Sequence, residues 1–446
     1  MYQTLNIIIK PTQKELIQYF HDNCCLAKNL YNTTLFRCRQ ILSANNKDIS
    51  SLTSNEISVL DEFELMLNKS NSKKLFVPNY YKFDRVYRDT NNLDYLSNLP
   101  QQSSQQTVKE VLQCIKSYFS SIRKYNKHPE KFSGKPKLPK YLKSEQHGYK
   151  CTNQDCVIKT NKNGQVYLKL PKTKLTIKLK DAPFGKLKEV VIKPFFDTYK
   201  VSIIMEVPNN AGFSLDKNRI LGIDLGVNNF ATTNNNCGLT PFIINGRKLK
   251  SYNQWYNKEL AALKSYVMKN DSKKYTSKRI NKLNKDRYNH TEDFYNKAVS
   301  YILHYCVKNN IGLIVIGKND GWKQNINLGH ENNQIFCNIA HAHFIKKLQL
   351  ASVKYGIEVV DTEESYTSKS NLLNMDILPT IGDDVNLVVF TGKRIKRGLY
   401  QTNNNILINA DVNGAGNIIR KYVANAFKNI IDMSYMHKTI EMVNVI

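Results

Sequence analysis

Residues 219–246, RILGIDLGVNNFATTNNNCGLTPFIING, decide the fold class of this chain. The run RILGIDLGV is typical of a strand buried on both faces, and the rest contains two further strands separated by turn residues. Further along, the apolar runs GLIVIGKN and IEVVDT alternate with segments of helical periodicity. Three strands followed by alternating helices and strands indicate a mixed α/β sheet of the ribonuclease H type.

A last helix follows the strand-like run ILIN near the end of this pattern. Its apolar residues share one helical face: Ala415, Ile418, Ile419, Val423 and Phe427. We therefore expect an α/β domain over residues 218–430, with a long helical insertion at 248–309. Residues 431–446 are expected to form a tail.

The first half of the chain carries a different pattern. A strand-like start is followed by segments of helical periodicity and then by a basic, proline-punctuated linker. From about residue 150, short apolar runs alternate with turn residues, as in a small antiparallel sheet or barrel. We expect residues 1–10 and 146–210 to form this β-structure and residues 11–145 to form a helical lobe.

Composition narrows the classes of function. Of the 446 residues, 65 are Lys or Arg and 37 are Asp or Glu, which gives a formal net charge of +28 and predicts a polyanionic partner. The start lacks the order of a signal peptide, and no apolar run approaches the length that spans a bilayer. Nine scattered cysteines form no disulfide pattern. We expect a soluble, intracellular protein with reduced thiols.

Acidic residues lie at three places where the expected sheet has strand centres or strand ends. Asp224 is inside the apolar run ILGIDLGV, where an unpaired carboxylate is costly. Asp411 lies where a strand passes into a helix, which also suits a simple N-cap. Glu363 and Glu364 follow IEVV, where an exposed strand end is the alternative. Because a sheet of this type brings these places to one edge, the acids together favour a Mg²⁺ site.

Paired Mg²⁺ ions would suit the expected partner. Two ions ~4 Å apart can activate water and stabilise the leaving oxygen of a phosphodiester. The chain contains no Ser, Cys or His in a catalytic arrangement, and it contains no GxxxxGK[ST] loop. The sequence therefore favours metal-dependent phosphodiester hydrolysis over an ATP-driven motor.

Five motifs resemble those of the TnpB family, transposon-associated RNA-guided endonucleases related to type V CRISPR effectors. They are GIDLGVNNFAT (222–232), SYNQWYNKELA (251–261), EESYTSK (363–369), GKRIKRGLY (392–400) and NADVNGAGNIIRK (409–421). The resemblance is dense over residues 219–425 and thinner before them. It implies a RuvC-like nuclease domain after an N-terminal wedge barrel, with an inserted helical recognition lobe. That lobe would hold guide RNA and read a short motif beside the DNA target.

The resemblance also implies an Asp, Glu, Asp catalytic and metal-binding set. Asp224 and Asp411 match its two aspartates. Many family members carry the glutamate at the end of the strand equivalent to GLIVIGKN, where this chain has Gly317. A subgroup uses a glutamate in the EESYTSK segment, which matches Glu364, with Glu363 as the alternative. Two Mg²⁺ ions are the cofactors that this set implies.

A basic segment precedes the last aspartate. Lys393, Arg394, Lys396 and Arg397 accompany Tyr400, which suits phosphate contacts and a stacking ring; a solvated basic turn is the alternative. Many relatives have a four-cysteine zinc ribbon here, but residues 365–410 contain no cysteine. We expect no structural zinc.

We therefore expect an RNA-guided, Mg²⁺-dependent DNA endonuclease that is encoded by or derived from a transposon. Its partners would be guide RNA and double-stranded target DNA, and it would be cytoplasmic and nucleoid-associated in a prokaryotic host. One alternative is a transposase that cuts and joins DNA, although its acids usually run Asp, Asp, Glu along the chain. Another is a guided DNA-binding repressor that no longer cuts.

Overall fold

A computed structural model describes residues 2–179, 185–207, 213–270, 276–318, 339–380, 382–383, 388–396, 398–430 and 432–445. The chain divides into two compact units, Met1–Asn209 and Asn210–Ile446. No described helix is both long enough and apolar enough to cross a membrane. The eight cysteines within the described residues are free thiols.

The first unit contains five α-helices between its first two strands. They are α1 (Lys14–Ala44), α2 (Ser54–Glu62), α3 (Met66–Ser70), α4 (Tyr80–Asp89) and α5 (Gln101–Lys127). The helix α2 begins with a capping box in which Thr53 and Glu56 each bond the other's backbone N–H. The five helices lie within residues 11–145, where the sequence predicted a helical lobe.

The strands of the first unit form two antiparallel sheets. They are β1 (Tyr2–Ile8), β2 (Tyr149–Thr152), β3 (Val157–Thr160), β4 (Val166–Lys169), β5 (Thr176–Lys178), β6 (Lys186–Phe195) and β7 (Thr198–Glu206). One sheet has the order β1-β7-β6-β2 and the other β3-β4-β5. The N-terminal strand therefore pairs with a strand about 200 residues later, Tyr2 opposite Glu206. Closure of these strands into a barrel stays a prediction.

The second unit is built on a six-stranded mixed sheet. Its strands are β8 (Asp216–Leu225), β9 (Asn229–Asn235), β10 (Phe242–Asn245), β11 (Ile311–Gly317), β12 (Glu358–Thr362) and β16 (Glu441–Val443), in the order β12-β11-β8-β9-β10-β16. The first three are antiparallel neighbours, and β11 and β12 continue parallel to β8. This arrangement confirms the predicted α/β class.

Helices cover both faces of this sheet. They are α6 (Arg247–Asn270), α7 (Lys278–Lys308), α8 (His341–Ser352) and α9 (Ala410–Tyr422). Alternate residues of β8 face opposite sides: Leu221 packs into a core with residues of α7 and α8, whereas Ile220 packs into a core with Ile418 and Ile419 of α9. Burial on both faces explains the continuous apolar run of β8.

A small antiparallel sheet precedes α9. It contains β13 (Lys393–Lys396), β14 (Leu399–Gln401) and β15 (Leu407–Asn409), with β14 in the middle. The last strand, β15, runs directly into α9 and so fixes where that helix begins.

Two predictions about the C-terminal residues were wrong. The helix α9 ends at Tyr422, so Val423 and Phe427 pack against the core from beyond the helix. Residues 431–446 are not simply a tail, because Glu441–Val443 forms β16 and pairs in parallel with β10. A short strand of this kind has no sequence pattern that separates it from a loop.

Candidate active site

Asp224 lies at the centre of the candidate site. It is the penultimate residue of β8, a strand in the middle of the sheet, and it pairs with Thr232 of β9. It lines a cavity of about 510 Å³ together with Asp411. Burial, and then the negative charges of Glu364 and Asp411, raise the pKa of Asp224 well above its usual value. The strand thus presents a carboxylate where negative charge is concentrated.

Asp411 lies in the first turn of α9. The N-cap of this helix is Asn409, whose side chain accepts hydrogen bonds from the backbone N–H groups of Asp411 and Val412 at 2.9 and 3.1 Å. The Asp411 carboxylate is therefore not the cap. It accepts a bond from Asn229 Nδ2 at 2.8 Å and pairs with Arg394 Nη2 at 3.4 Å.

Glu364 reaches the end of β11 from a neighbouring segment. It follows β12 by two residues, and β12 is parallel to β11, so both ends lie at one edge of the sheet. A Cβ atom at Gly317 would lie 2.6 Å from Oε2 of Glu364. Burial, and then the charge of Glu363, raise the pKa of Glu364 to about 7. The Glu364 carboxylate therefore occupies the space beside the last residue of β11.

Glu363 is engaged elsewhere. Its Oε2 accepts a bond from Lys421 Nζ at 2.7 Å, and its Oε1 accepts one from the backbone N–H of Ser365 at 2.6 Å. Burial opposes the negative charge, but the bonds from Lys421 and Ser365 outweigh it and lower the pKa of Glu363. The two adjacent glutamates thus have different environments: Glu363 is ion-paired, and Glu364 contributes to the charge at Asp224.

The donor set fits a hard cation. Within the described ranges, no three His, Cys, Asp or Glu side chains are close enough to hold one metal ion by themselves. Mg²⁺ usually takes only one or two carboxylates and completes its shell with water and phosphate oxygens. Asp224, Glu364 and Asp411 supply oxygen ligands of this kind, and a cation would relieve the repulsion that raises the pKa of Asp224.

The predicted nucleic-acid-binding segment is only partly suited to its role. Lys393, Arg394 and Lys396 lie on β13 and are exposed, while Arg397 lies outside the described residues. Tyr400 is fully buried, and its hydroxyl donates to the backbone oxygen of Lys369 at 2.8 Å. The stacking role predicted for Tyr400 was wrong, because it lies in the middle strand of a sheet and faces the core.

Several polar residues near the site were missed by the sequence analysis. Asn229 bonds Asp411, and Asn413 and Asn417 of α9 are completely buried. The sequence held a signal for the latter two, because Asn413, Asn417 and Lys421 recur at intervals of four and therefore share one helical face. The signal is weak, since polar residues at this spacing are also typical of a solvated helix face.

Comparisons with known proteins show what this chain is similar to. Residues 202–323 match the OrfB_IS605 family model, described as a probable transposase. A cryo-EM structure of a Cas12f1–sgRNA–target DNA complex matches with a TM-score of 0.50 and 14% identity, over 94% of this chain and 98% of that one. A CRISPR-Cas12f ternary complex matches with a TM-score of 0.32 and 15% identity, over 91% and 81%. No curated protein matches the sequence.

The predicted resemblance to TnpB is thereby confirmed on two grounds. The family match begins in β7 and continues through β8 to β11 of the second unit, and the match to Cas12f1 extends over nearly the whole chain. Residues 202–323 thus match the OrfB_IS605 model of a probable transposase, and the chain as a whole shares the fold of the Cas12f1 structure.

Proposed function

We propose that this protein is an RNA-guided, Mg²⁺-dependent DNA endonuclease encoded by or derived from a transposon. The observation that carries the proposal is the position of Glu364. Its carboxylate lies at the end of β11, beside Gly317, and adds to the negative charge at Asp224. A chain that had merely lost its glutamate would have no acid in that space.

Asp224, Glu364 and Asp411 would hold the metal. When bound, Mg²⁺ would supply Lewis-acid chemistry for the hydrolysis of a phosphodiester by water. The chain's own residues prepare the site. Asn229 donates a hydrogen bond to one oxygen of Asp411, and the pairing of β8 with β9 fixes the position of Asp224 in the sheet.

Two arginines give the cavity an attraction for phosphate. Arg247 and Arg394 line it together with Asp224 and Asp411. The contact between Arg394 and Asp411 is 3.4 Å long and partly exposed, so the net energy it contributes is small. The guanidinium of Arg394 can therefore turn to a phosphodiester, for which its planar donors are well suited.

Guide RNA and double-stranded DNA are the proposed partners. The Cas12f1 structure with a similar fold is a complex with sgRNA and target DNA. The net charge of +28 suits a protein that holds nucleic acid through phosphates while base pairing by a guide supplies the sequence choice. Lys393, Arg394 and Lys396 are proposed phosphate contacts, with Arg397 beside them in the sequence. Mg²⁺ is the only metal that we propose as a cofactor.

The test begins with the protein expressed together with its native flanking DNA. We expect one defined RNA with a constant scaffold and a variable 3′ end to co-purify, and the complex to cut plasmids that carry the complementary sequence. Omission of Mg²⁺ should abolish cutting and leave target binding intact. A random mixture of cellular RNA, together with no guided cutting, would reject the proposal.

A DNA-joining transposase is the second candidate, since the OrfB_IS605 model is described as a probable transposase. The same preparation separates the two functions. A transposase would join labelled transposon ends to a second DNA without RNA, whereas the proposed nuclease would give only cut products and only with its guide.

A further inference from the structure

The helix α9 contacts the elements that carry all three proposed metal ligands. Asp411 lies in its first turn. Its next turn rests on β8: a Cβ atom at Gly414 would lie 3.0 Å from Oδ2 of Asp224, and one at Gly222 would lie 2.2 Å from the backbone oxygen of Ala415. Asp224 and Asp411 are therefore held in register by direct backbone packing.

The third ligand, Glu364, does not lie on a helix or a strand. Glu364 follows β12 and begins a segment without α-helix or strand in its described part, up to β13. A loop does not by itself hold a carboxylate within the few tenths of an ångström that a metal site requires. Something else must therefore fix the backbone of this segment.

Two buried asparagines of α9 bind that backbone. Asn413 Nδ2 donates to the carbonyl oxygen of Ser370 at 2.8 Å, and its Oδ1 accepts from the N–H of Leu372 at 3.0 Å. Asn417 Nδ2 donates to the carbonyl oxygens of Thr367 and Ser370 at 2.9 and 2.7 Å. Both asparagines are completely buried, so no water competes for these bonds. They take the place of the backbone hydrogen bonds that the segment would make if it were a strand in a sheet.

Lys421 completes this polar face one turn later. Its side chain is only 5% exposed, and its ammonium group donates to Glu363 Oε2 at 2.7 Å and to the backbone oxygen of Pro379. A buried ammonium is strongly disfavoured without an acidic partner. The pair therefore ties the residue immediately before Glu364 to α9.

We infer that Lys421 is a positioning residue for the metal site: by binding Glu363 it holds the neighbouring Glu364 toward Asp224, while Asn413 and Asn417 fix the loop that follows. The helix that carries Asp411 thus sets the positions of all three acids. The consequence for cleavage rests on the proposed function, but the consequence for metal binding does not.

The test compares Lys421→Met with Lys428→Met, the same substitution at an exposed lysine. Titration calorimetry of the full chain, freed of RNA by high salt, measures its affinity for Mg²⁺ alone. Loss of an outer-shell partner typically costs 10- to 100-fold in metal affinity. We expect a loss of about this size in Lys421→Met and no change in Lys428→Met, and the Mg²⁺ concentration for half-maximal guided cleavage should rise by the same factor.

A second variant separates positioning from folding. Lys421→Met combined with Glu363→Met removes both charges, so no unpaired charge remains buried and the thermal midpoint should recover. Metal affinity should remain low, because nothing then ties residue 363 to α9. Wild-type Mg²⁺ affinity in either folded variant would overturn the inference, as would the absence of Mg²⁺ binding by the unaltered chain. Mg²⁺ binding without guided cutting would reject the proposed function but not the positioning role of Lys421.

Discussion

Glu364 and Glu363 are neighbours in sequence, but their surroundings assign them different roles. Glu363 has both oxygens in hydrogen bonds, and its charge is matched by Lys421. Glu364 is half-buried near other acids, and its pKa is raised to about 7 by this burial and by the charge of Glu363. A carboxylate kept in a place that disfavours its charge is typical of a functional site.

The first prediction concerns the charge of Glu364. Glu364→Gln keeps the shape of the side chain but removes a metal ligand, so guided cleavage should fall by more than the roughly 100-fold that outer-shell changes cost. Target binding should not change, and the thermal midpoint should not fall, because the charge is already disfavoured in the fold. Gel-based cleavage, filter binding and thermal unfolding measure the three quantities.

Glu363→Gln is the comparison at the neighbouring position: its amide oxygen can still accept a bond from Lys421, but the buried ammonium loses its acidic partner, so the thermal midpoint should fall. This variant should lose far less activity than Glu364→Gln. Equal losses in the two variants would remove the distinction between the glutamates. Regulation of a target that is the same in the unaltered protein and in Glu364→Gln, with no cutting by either, would identify a guided repressor.

A second prediction moves the acid back to the strand. A Cβ atom at Gly317 points at the position of the Glu364 carboxylate, so aspartate, the shorter acid, is the one that fits there. Glu364→Ala should abolish cleavage, and adding Gly317→Asp should restore a measurable part of it. The terminal carbon of Ile418 must shift, since it would lie 2.5 Å from the new Cβ. Gly317→Asn with Glu364→Ala, which lacks the charge, should restore nothing.

At the scale of elements, the site depends on how closely α9 approaches β8. At Gly222 the helix backbone is so near that any side chain must push the two elements apart. Because β8 carries Asp224 and α9 carries Asp411, a displacement of one element relative to the other also separates the two acids. Stability and metal geometry are therefore linked at this contact.

Gly222→Ala tests this link. The new Cβ would meet a backbone oxygen, which cannot rotate away, so overpacking should cost about 1–3 kcal/mol or somewhat more and should weaken Mg²⁺ binding as well. Gly134→Ala is the control, because a Cβ there meets no described atom within 4 Å. Chemical denaturation and calorimetry give the two readouts. A variant that is destabilised yet binds Mg²⁺ normally would contradict the link.

The sequence predicted those elements whose pattern repeats over many residues. The apolar run around Asp224 indicated a central strand, and Asp224 and Asp411 could be chosen because each interrupts or ends a regular element. The short strand Glu441–Val443 and the burial of Tyr400 depend on distant partners, so no local pattern indicated them. The choice between Glu363 and Glu364 depends on Lys421, which lies 58 residues away.

At the scale of the whole molecule, the proposed function divides recognition between charge and base pairing. A net charge of +28 attracts any polyanion, and attraction of this kind carries no sequence information. In the proposed function, selectivity for a target comes from the guide, which the protein would hold by its phosphates and shape. Binding of the guide should therefore depend strongly on salt and little on the sequence of its variable 3′ end.

Each phosphate that the protein neutralises releases counterions, so the affinity for RNA should fall steeply as salt rises. If the protein neutralises 6–10 phosphates, the affinity should fall about 10³- to 10⁵-fold between 50 and 200 mM KCl. Combined replacement of Lys393 and Lys396 by alanine should make the slope of log affinity against log salt shallower by about 1 for each phosphate that is no longer neutralised. Filter binding of the co-purified RNA over a KCl series measures this slope. A slope that is shallow in the unaltered protein, or equal in the variant, would mean that these exposed lysines do not contact the RNA. Repeating the series with a target duplex then tests whether the lysines contact the DNA instead.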